Sequence, residues 1–196
     1  MTELWLVRHG QTDWNVEGRY QGQADQPLND VGFAQARALA RELDGRHFDA
    51  LYSSDLLRAR QTAATIAQQL GLQVTVDRRL REINQGEWEG QLFTDIVRRY
   101  EDEIAARRED PVGSRPPGGE SVAEVASRIW TAVDEIVLAH PGGRVLLVSH
   151  GLALATLMAR ARGASLAEVY SLIPDNASPQ VITWEVDGTV AVKEEG

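Results

Sequence analysis

The chain has 196 residues, 29 acidic and 20 basic side chains, a formal net charge of −9, four histidines and no cysteine. Hydrophobic content of 43% and charged content of 25% are ordinary globular values, which exclude intrinsic disorder and a disulfide-stapled miniature. The missing cysteine removes thiolate nucleophiles, thiolate zinc sites and iron–sulfur clusters, and the acidic balance argues against a nucleic-acid partner. The length suits one domain with a small cap, able to bury roughly 70% of its unfolded surface. The start, MTELWLVRHGQ, reaches Arg8 and His9 after a short apolar run, too short for a signal peptide, and no stretch approaches the ~20 apolar residues of a membrane span. A soluble cytoplasmic protein without a membrane partner is expected.

Apolar runs alternate with helix-period stretches, the pattern of an α/β chain. Leu4 to Val7 reads as a buried strand. Asn29 or Asp30 caps a helix through Phe33, Ala36, Leu39 and Leu43 that Gly45 ends. Asp49 to Tyr52 is a short strand, and Ser53-Ser54-Asp55 caps a long helix reaching Leu70 before Gly71. Gln73 to Val76 is a further strand. A less regular region runs from Leu80 to Gly119, with one helix from Phe93 to Ala106 and a Pro- and Gly-rich loop; residues 92–119 read as a lid. Ser121 and Glu124 form a capping box that opens a helix ending near Ala139. Val145 to Val148 is a core strand, Leu152 to Ala161 a helix, and Gln180 to Val192 a hairpin around Asp187-Gly188. Trp130 and Trp184 are placed in the core or in an interface, with a homodimer as one option for the assembly.

Two segments share one local grammar: LWLVRHG at 4–10 and VLLVSHG at 145–151. Each is a buried strand, one polar residue, a histidine and a glycine that allows close backbone approach. Ligands in open α/β sheets bind beyond the carboxyl ends of the strands, so His9 and His150 belong at one rim. His47 and His140 lack that context and read as surface loop residues. Arg8 adjoins His9, and Arg58 lies near the start of the helix after strand 49–52, so both can face a bound anion. An arginine fork matches phosphate oxygens bidentately. A carboxylic acid nearby could protonate a leaving alcohol, and Glu82, Glu87 and Glu89 in LREINQGEWEG are equivalent candidates on sequence alone.

Taken in order, LVRHGQTDWN, GRYQGQADQPLNDVG, YSSDLLRARQTA, LREINQGEWEG, PPGGES and VSHG resemble the histidine phosphatase superfamily, also called the phosphoglycerate mutase-like family. Within it the chain is most similar to broad-specificity phosphatases and to metal-independent phosphoserine and α-ribazole phosphatases. The resemblance covers nearly the whole chain and implies one domain over residues 1–196, with a cap at about 92–119. The fold implied is a three-layer α/β/α sandwich with a mostly parallel central sheet, a small helical cap, and the active site at the carboxyl ends of the strands. It also implies that His9 is the nucleophile, that Glu82 is the proton donor, and that Arg8, Arg58, His150 and the Gly151 backbone form the phosphate pocket. Asn15 would hold phosphoryl oxygens, and Gln21 and Gly22 fall where the family contacts substrate. Gln11 stands where many members carry glutamate, with little effect expected. Gln21 stands where mutases tend to have threonine.

The implied activity is hydrolysis of a small phosphate monoester through a phosphohistidine, with Arg8, Arg58 and a protonated His150 holding the phosphoryl charge, and with no metal and no cofactor. Two alternatives stand beside it: a cofactor-dependent phosphoglycerate mutase, and a non-catalytic protein that only binds phosphorylated ligands.

Overall fold

In the computed structural model, residues 1–193 are described; the last three residues of the expected 1–196 span lie outside them. The elements in chain order are β1 (Thr2–Arg8), α1 (Asp13–Glu17), α2 (Asp30–Glu42), β2 (Ala50–Ser53), α3 (Leu57–Leu70), β3 (Val74–Val76), α4 (Phe93–Arg99), α5 (Glu101–Glu109), α6 (Val122–Ala139), β4 (Arg144–Ser149), α7 (Gly151–Arg162), β5 (Pro179–Trp184) and β6 (Val190–Val192). Short 3₁₀ turns cover Arg78–Leu80, Gly86–Trp88 and Leu166–Leu172.

The strands form one six-stranded sheet in the order β3-β2-β4-β1-β5-β6. β3, β2, β4 and β1 run parallel, and β5 and β6 are antiparallel additions at one side. β1 is apolar from Leu4 to Val7 and β4 from Val145 to Val148 because both faces of the sheet are covered there. Leu4, Leu6, Val145 and Leu147 turn toward α6 and α7, whereas Trp5, Val7, Leu146 and Val148 turn toward α2 and α3. This is the expected three-layer α/β/α sandwich. Among the described residues no helix is long and apolar enough to cross a membrane.

Most local signals act as expected. Asn29 caps α2 through Gly32, and Ser121 and Glu124 exchange the two bonds of a capping box. β5 and β6 form the hairpin, with Gly188 at φ 86° in its turn. Four expectations are corrected. The helix expected to end at Gly45 stops at Glu42, and Gly45 lies in the turn beyond. Ser53-Ser54-Asp55 does not cap α3: Leu56 occupies the cap position, and Asp25, from a distant loop, accepts the Leu57 N–H at 2.6 Å. The single helix expected at 93–106 is two helices, broken at Tyr100 (φ −129°, ψ 49°). Tyr100 packs its ring on buried Trp88, which with Ile96 and Ile104 makes a small separate apolar cluster under this segment. His140 is a half-buried C-cap of α6 whose Nε2 meets the Tyr52 hydroxyl at 3.0 Å, not a surface loop residue. His47 is exposed, as expected. Trp184 is a core residue donating to Asp134, and Trp130 is half-buried against Thr156.

Candidate active site

Register brings the two histidines together. β1 pairs with β4 so that Val7 faces Val148 and Arg8 faces Ser149, and the His9 N–H donates to the Ser149 carbonyl at 3.0 Å. The next residues in each strand, His9 and His150, then stand side by side with ring centroids 5.2 Å apart. Both are buried, at 3% and 0% exposure. β2 lies on the other side of β4 and ends at the same rim, which puts Arg58 in the first turn of α3 beside them.

His9 is held in one orientation. Its Nδ1 lies 2.7 Å from the Gly10 carbonyl, which can only accept, so Nδ1 carries the proton and Nε2 keeps a lone pair. Arg58 Nε donates to that Nε2 at 3.2 Å, while its Nη1 and Nη2 donate to the Ala24 and Gly22 carbonyls. Gly10 permits this close packing: a Cβ there would lie 2.5 Å from the Gly32 carbonyl oxygen at the start of α2.

Charge at the site is set by burial. Desolvation pushes both imidazoles well below the ordinary histidine value, helped at His9 by Arg58 and Arg8, and at His150 by Arg58, His9, Arg128 and Arg8. The protein's own groups therefore favour a neutral His150 when no phosphoryl group is bound, whereas the sequence leads to the expectation of a protonated one around a bound phosphoryl group. Burial likewise pushes Arg58 down to about 10 and lowers Arg8, both of which remain cations near neutral pH. Arg8 Nη1 donates to the Pro174 carbonyl, but its Nε is buried with no protein partner among the described residues, as is Nδ1 of His150. Two cations, two neutral imidazoles and two unpartnered buried nitrogens form a site suited to a compact polyanion.

A cavity of about 230 Å³ opens over this group, lined in part by Arg8, His9, Asn15, Gln21, Gly22 and Arg58. Glu82 and Gly151 also line it, whereas His150 is packed behind. Of the three candidate carboxylates, only Glu82 borders the cavity. Its oxygens accept backbone N–H bonds from Ile83 (3.0 Å), Leu152 (3.2 Å) and Ala153 (3.1 Å), the last two from the first turn of α7. Glu87 is exposed and accepts from Tyr100, and Glu89 holds the Gln23 and Gln85 backbones.

Asn15 Oδ1 is occupied by the Thr12 cap of α1, so its contribution to a ligand is its amide N–H₂ group. Gln21 turns into the cavity with a buried, unpartnered Oε1. Gly22 both lines the cavity and anchors Arg58, and at φ 50° an added Cβ would collide with the Glu89 carboxylate. At Gly151 a Cβ would lie 2.9 Å from Ile173 Cγ2 and 3.5 Å from Arg8 Nε, so glycine here is required for close approach. Gln11 points away, its Oε1 accepting from Asn29.

Several supporting residues carry no local sequence signal. Thr62 Oγ1 accepts the Gly10 N–H at 3.0 Å, Asn176 donates to the His9 carbonyl at 2.7 Å, and Arg128 donates to the carbonyls of Arg79, Arg81 and Glu82. Tyr170 and Ile173 reach the cavity from after α7. Among the described residues, no three of His, Asp and Glu come together as a metal-binding group.

The burial of both histidines has a measurable consequence. An imidazole titrates near 6.5 in an unfolded chain and lower in this fold, so below about pH 6.5 the unfolded state takes up protons that the folded state does not. The stability held at neutral pH is then lost as pH falls through that window. The urea midpoint of the wild type is expected to fall between about pH 7 and 5, and less so in His150→Asn; an equal fall in both would contradict this account.

Residues 4–195 match the model of the histidine phosphatase superfamily (branch 1), and the chain belongs to that family. It is 36% identical over 193 residues to phosphoserine phosphatase 1 of Hydrogenobacter thermophilus, covering 98% of this chain and 92% of that protein. It is 38% identical over 163 residues to a probable phosphoglycerate mutase GpmB of Yersinia pestis, covering 83% and 76%. Among solved structures, a mycobacterial glucosyl-3-phosphoglycerate phosphatase complexed with VO3 superposes with a TM-score of 0.88 at 36% identity, covering 98% of each chain. The family and its phosphatase-named members support an enzyme that hydrolyses phosphate esters.

Proposed function

We propose that this chain is a phosphomonoesterase that hydrolyses small phosphorylated metabolites in two steps through a phosphohistidine on His9, without a metal ion. The observation that carries this reading is the His9 imidazole: buried, neutral, fixed through Nδ1 on Gly10, and presenting Nε2 among the Arg8 and Arg58 guanidiniums. In the first step Nε2 attacks phosphorus while the bond to the leaving oxygen breaks, and Glu82 gives that oxygen a proton. In the second, water attacks phosphorus, the N–P bond breaks, Glu82 takes the water's proton, and inorganic phosphate leaves. Arg58 Nε–H, at 3.2 Å from Nε2, has to shift only slightly to follow a phosphoryl oxygen, and Arg8 Nε supplies a second donor. The charge neutralisation that a metal would provide comes from these guanidiniums.

The leaving group would lie against Tyr20, Ile83, Tyr170 and Ile173, with residues 92–119 as a cap on the single domain whose Arg107 lies over the Tyr170 ring. A cavity of about 230 Å³ limits the substrate to a small metabolite. Purified protein is expected to release phosphate from p-nitrophenyl phosphate and from phosphoserine at an unchanged rate in excess chelator; loss of activity with chelator, restored by a metal, would overturn the metal-free reading.

The mutase-named relative favours a second reading, in which the phosphoryl group returns to another hydroxyl. Supplied with 3-phosphoglycerate and a bisphosphoglycerate primer, a hydrolase yields inorganic phosphate and no 2-phosphoglycerate. Conversion to 2-phosphoglycerate in excess of phosphate release would favour the mutase.

A further inference from the structure

Ser54 directly follows β2, is fully buried, and places its Oγ 2.8 Å from Nε2 of His150. Sheet register explains the meeting: Ser53 pairs with Val148, and the Ser54 N–H donates to the Val148 carbonyl, so the residues just past β2 and β4 are neighbours. The other ring nitrogen, Nδ1, is buried with no protein partner among the described residues.

A neutral imidazole has one N–H, and its position follows from the partner of the other nitrogen. Ser54 Oγ already accepts the Leu56 N–H at 3.3 Å, and among the described residues its hydroxyl proton has one acceptor in reach, Nε2 of His150. If Nε2 carried the proton, the Ser54 hydroxyl hydrogen would be buried without an acceptor. Nδ1 would then be a bare lone pair, which repels a phosphoryl oxygen. If Ser54 donates, both conflicts vanish and Nδ1–H becomes a free donor. We propose that Ser54 is a positioning residue whose hydroxyl holds His150 as the Nδ1–H tautomer, so that an uncharged imidazole offers a hydrogen bond to the phosphoryl group that His9 receives.

This inference rests on the phosphatase reading above and adds a reason for a neutral second histidine. The charged and titratable groups facing His150 are Arg58 from α3, His9 and Arg8 from the end of β1, and Arg128 from α6. These largest charge effects all come from basic groups and disfavour an imidazolium, while the Glu82 carboxylate holds the Leu152 and Ala153 N–H groups just beyond His150. A tautomer fixed by Ser54 donates without needing that charge, and its strength does not vary across the pH range in which histidine titrates.

Two measurements test it. The first is nitrogen-15 NMR of the His150 ring in phosphate-free wild type near pH 7, assigned with His150→Asn. A protonated-type signal at Nδ1 and a lone-pair-type signal at Nε2 are expected; an Nε2–H tautomer or an imidazolium would overturn the proposal. This result does not depend on turnover, so it separates failure of the proposal from failure of the phosphatase reading. The second is the affinity for inorganic phosphate and the pH profile of kcat/KM, between about pH 5.5 and 8.5, for Ser54→Ala and Ser54→Thr. The alanine variant is expected to lose about 10- to 100-fold in phosphate affinity across this range, because a buried His150 stays uncharged there and its one proton is no longer held on Nδ1. The threonine variant, which keeps the hydroxyl, is expected to recover most of the loss. A folded Ser54→Ala protein with wild-type affinity at every pH, or a Ser54→Thr protein as impaired as the alanine variant, would overturn the role assigned to the hydroxyl.

Discussion

His9→Ala is expected to lower phosphate release by about 10⁵-fold or more, to a level set by the phosphate pocket alone. The size follows from the chemistry: without Nε2 no covalent intermediate forms, and water must attack the monoester directly. Binding is expected to survive, because Arg8 and His150 remain and Arg58 keeps its anchors on the Gly22 and Ala24 carbonyls. The Gly10 carbonyl loses its ring donor and Arg58 Nε its ring acceptor. Measured together, kcat should collapse while the inhibition constant of inorganic phosphate changes little. Activity within tenfold of wild type would remove His9 as the nucleophile, and loss of both activity and phosphate binding would point to a collapsed pocket.

The second large effect belongs to Glu82→Gln. The amide oxygen can keep the bonds that Oε1 accepts from the Ile83 and Ala153 N–H groups, whereas the NH2 that replaces Oε2 cannot accept the Leu152 N–H, so one backbone bond is lost along with proton transfer. For an alkyl monoester such as phosphoserine, whose alkoxide leaves poorly, the expected loss in kcat/KM is about 10²- to 10⁴-fold. For p-nitrophenyl phosphate the leaving group departs without a proton, so phosphorylation of His9 remains fast and only the water step slows. A burst of p-nitrophenolate, one per active site, followed by slow turnover is then expected in rapid mixing. Equal losses for both substrates, with no burst, would show that Glu82 is not the proton donor.

Much of the site could be read from the sequence because the sheet core leaves a strong trace. β1 and β4 are buried on both faces, so each appears as an unbroken apolar run, and the His-Gly after each run marks the same rim. Their adjacency is not written locally; it arises from the strand order, which sets Arg8 against Ser149. Arg58 was readable as a first-turn arginine, whereas its bond to His9 Nε2 was not. The contacts of Ser54, Thr62, Asn176 and Arg128 are not written locally for one shared reason: each acts on a residue far away in sequence, and a serine or threonine near a strand end looks like an ordinary cap. Ser54 reads as part of a helix cap, but Asp25 accepts the Leu57 N–H and Ser54 Oγ meets His150. The charge of His150 depends on complete burial among arginines, which no sequence window reports. The break at Tyr100 likewise has no glycine or proline to announce it; the ring packs onto Trp88.

The central claim is the covalent intermediate on His9. Its most direct test is to quench the enzyme into alkali during turnover of an alkyl phosphate monoester, digest it, and locate the phosphoryl group by mass spectrometry. One acid-labile, alkali-stable phosphoryl group on the peptide containing His9 is the predicted result. Turnover at the wild-type rate with no phosphorylated peptide, or with the label on any other residue, would contradict the account.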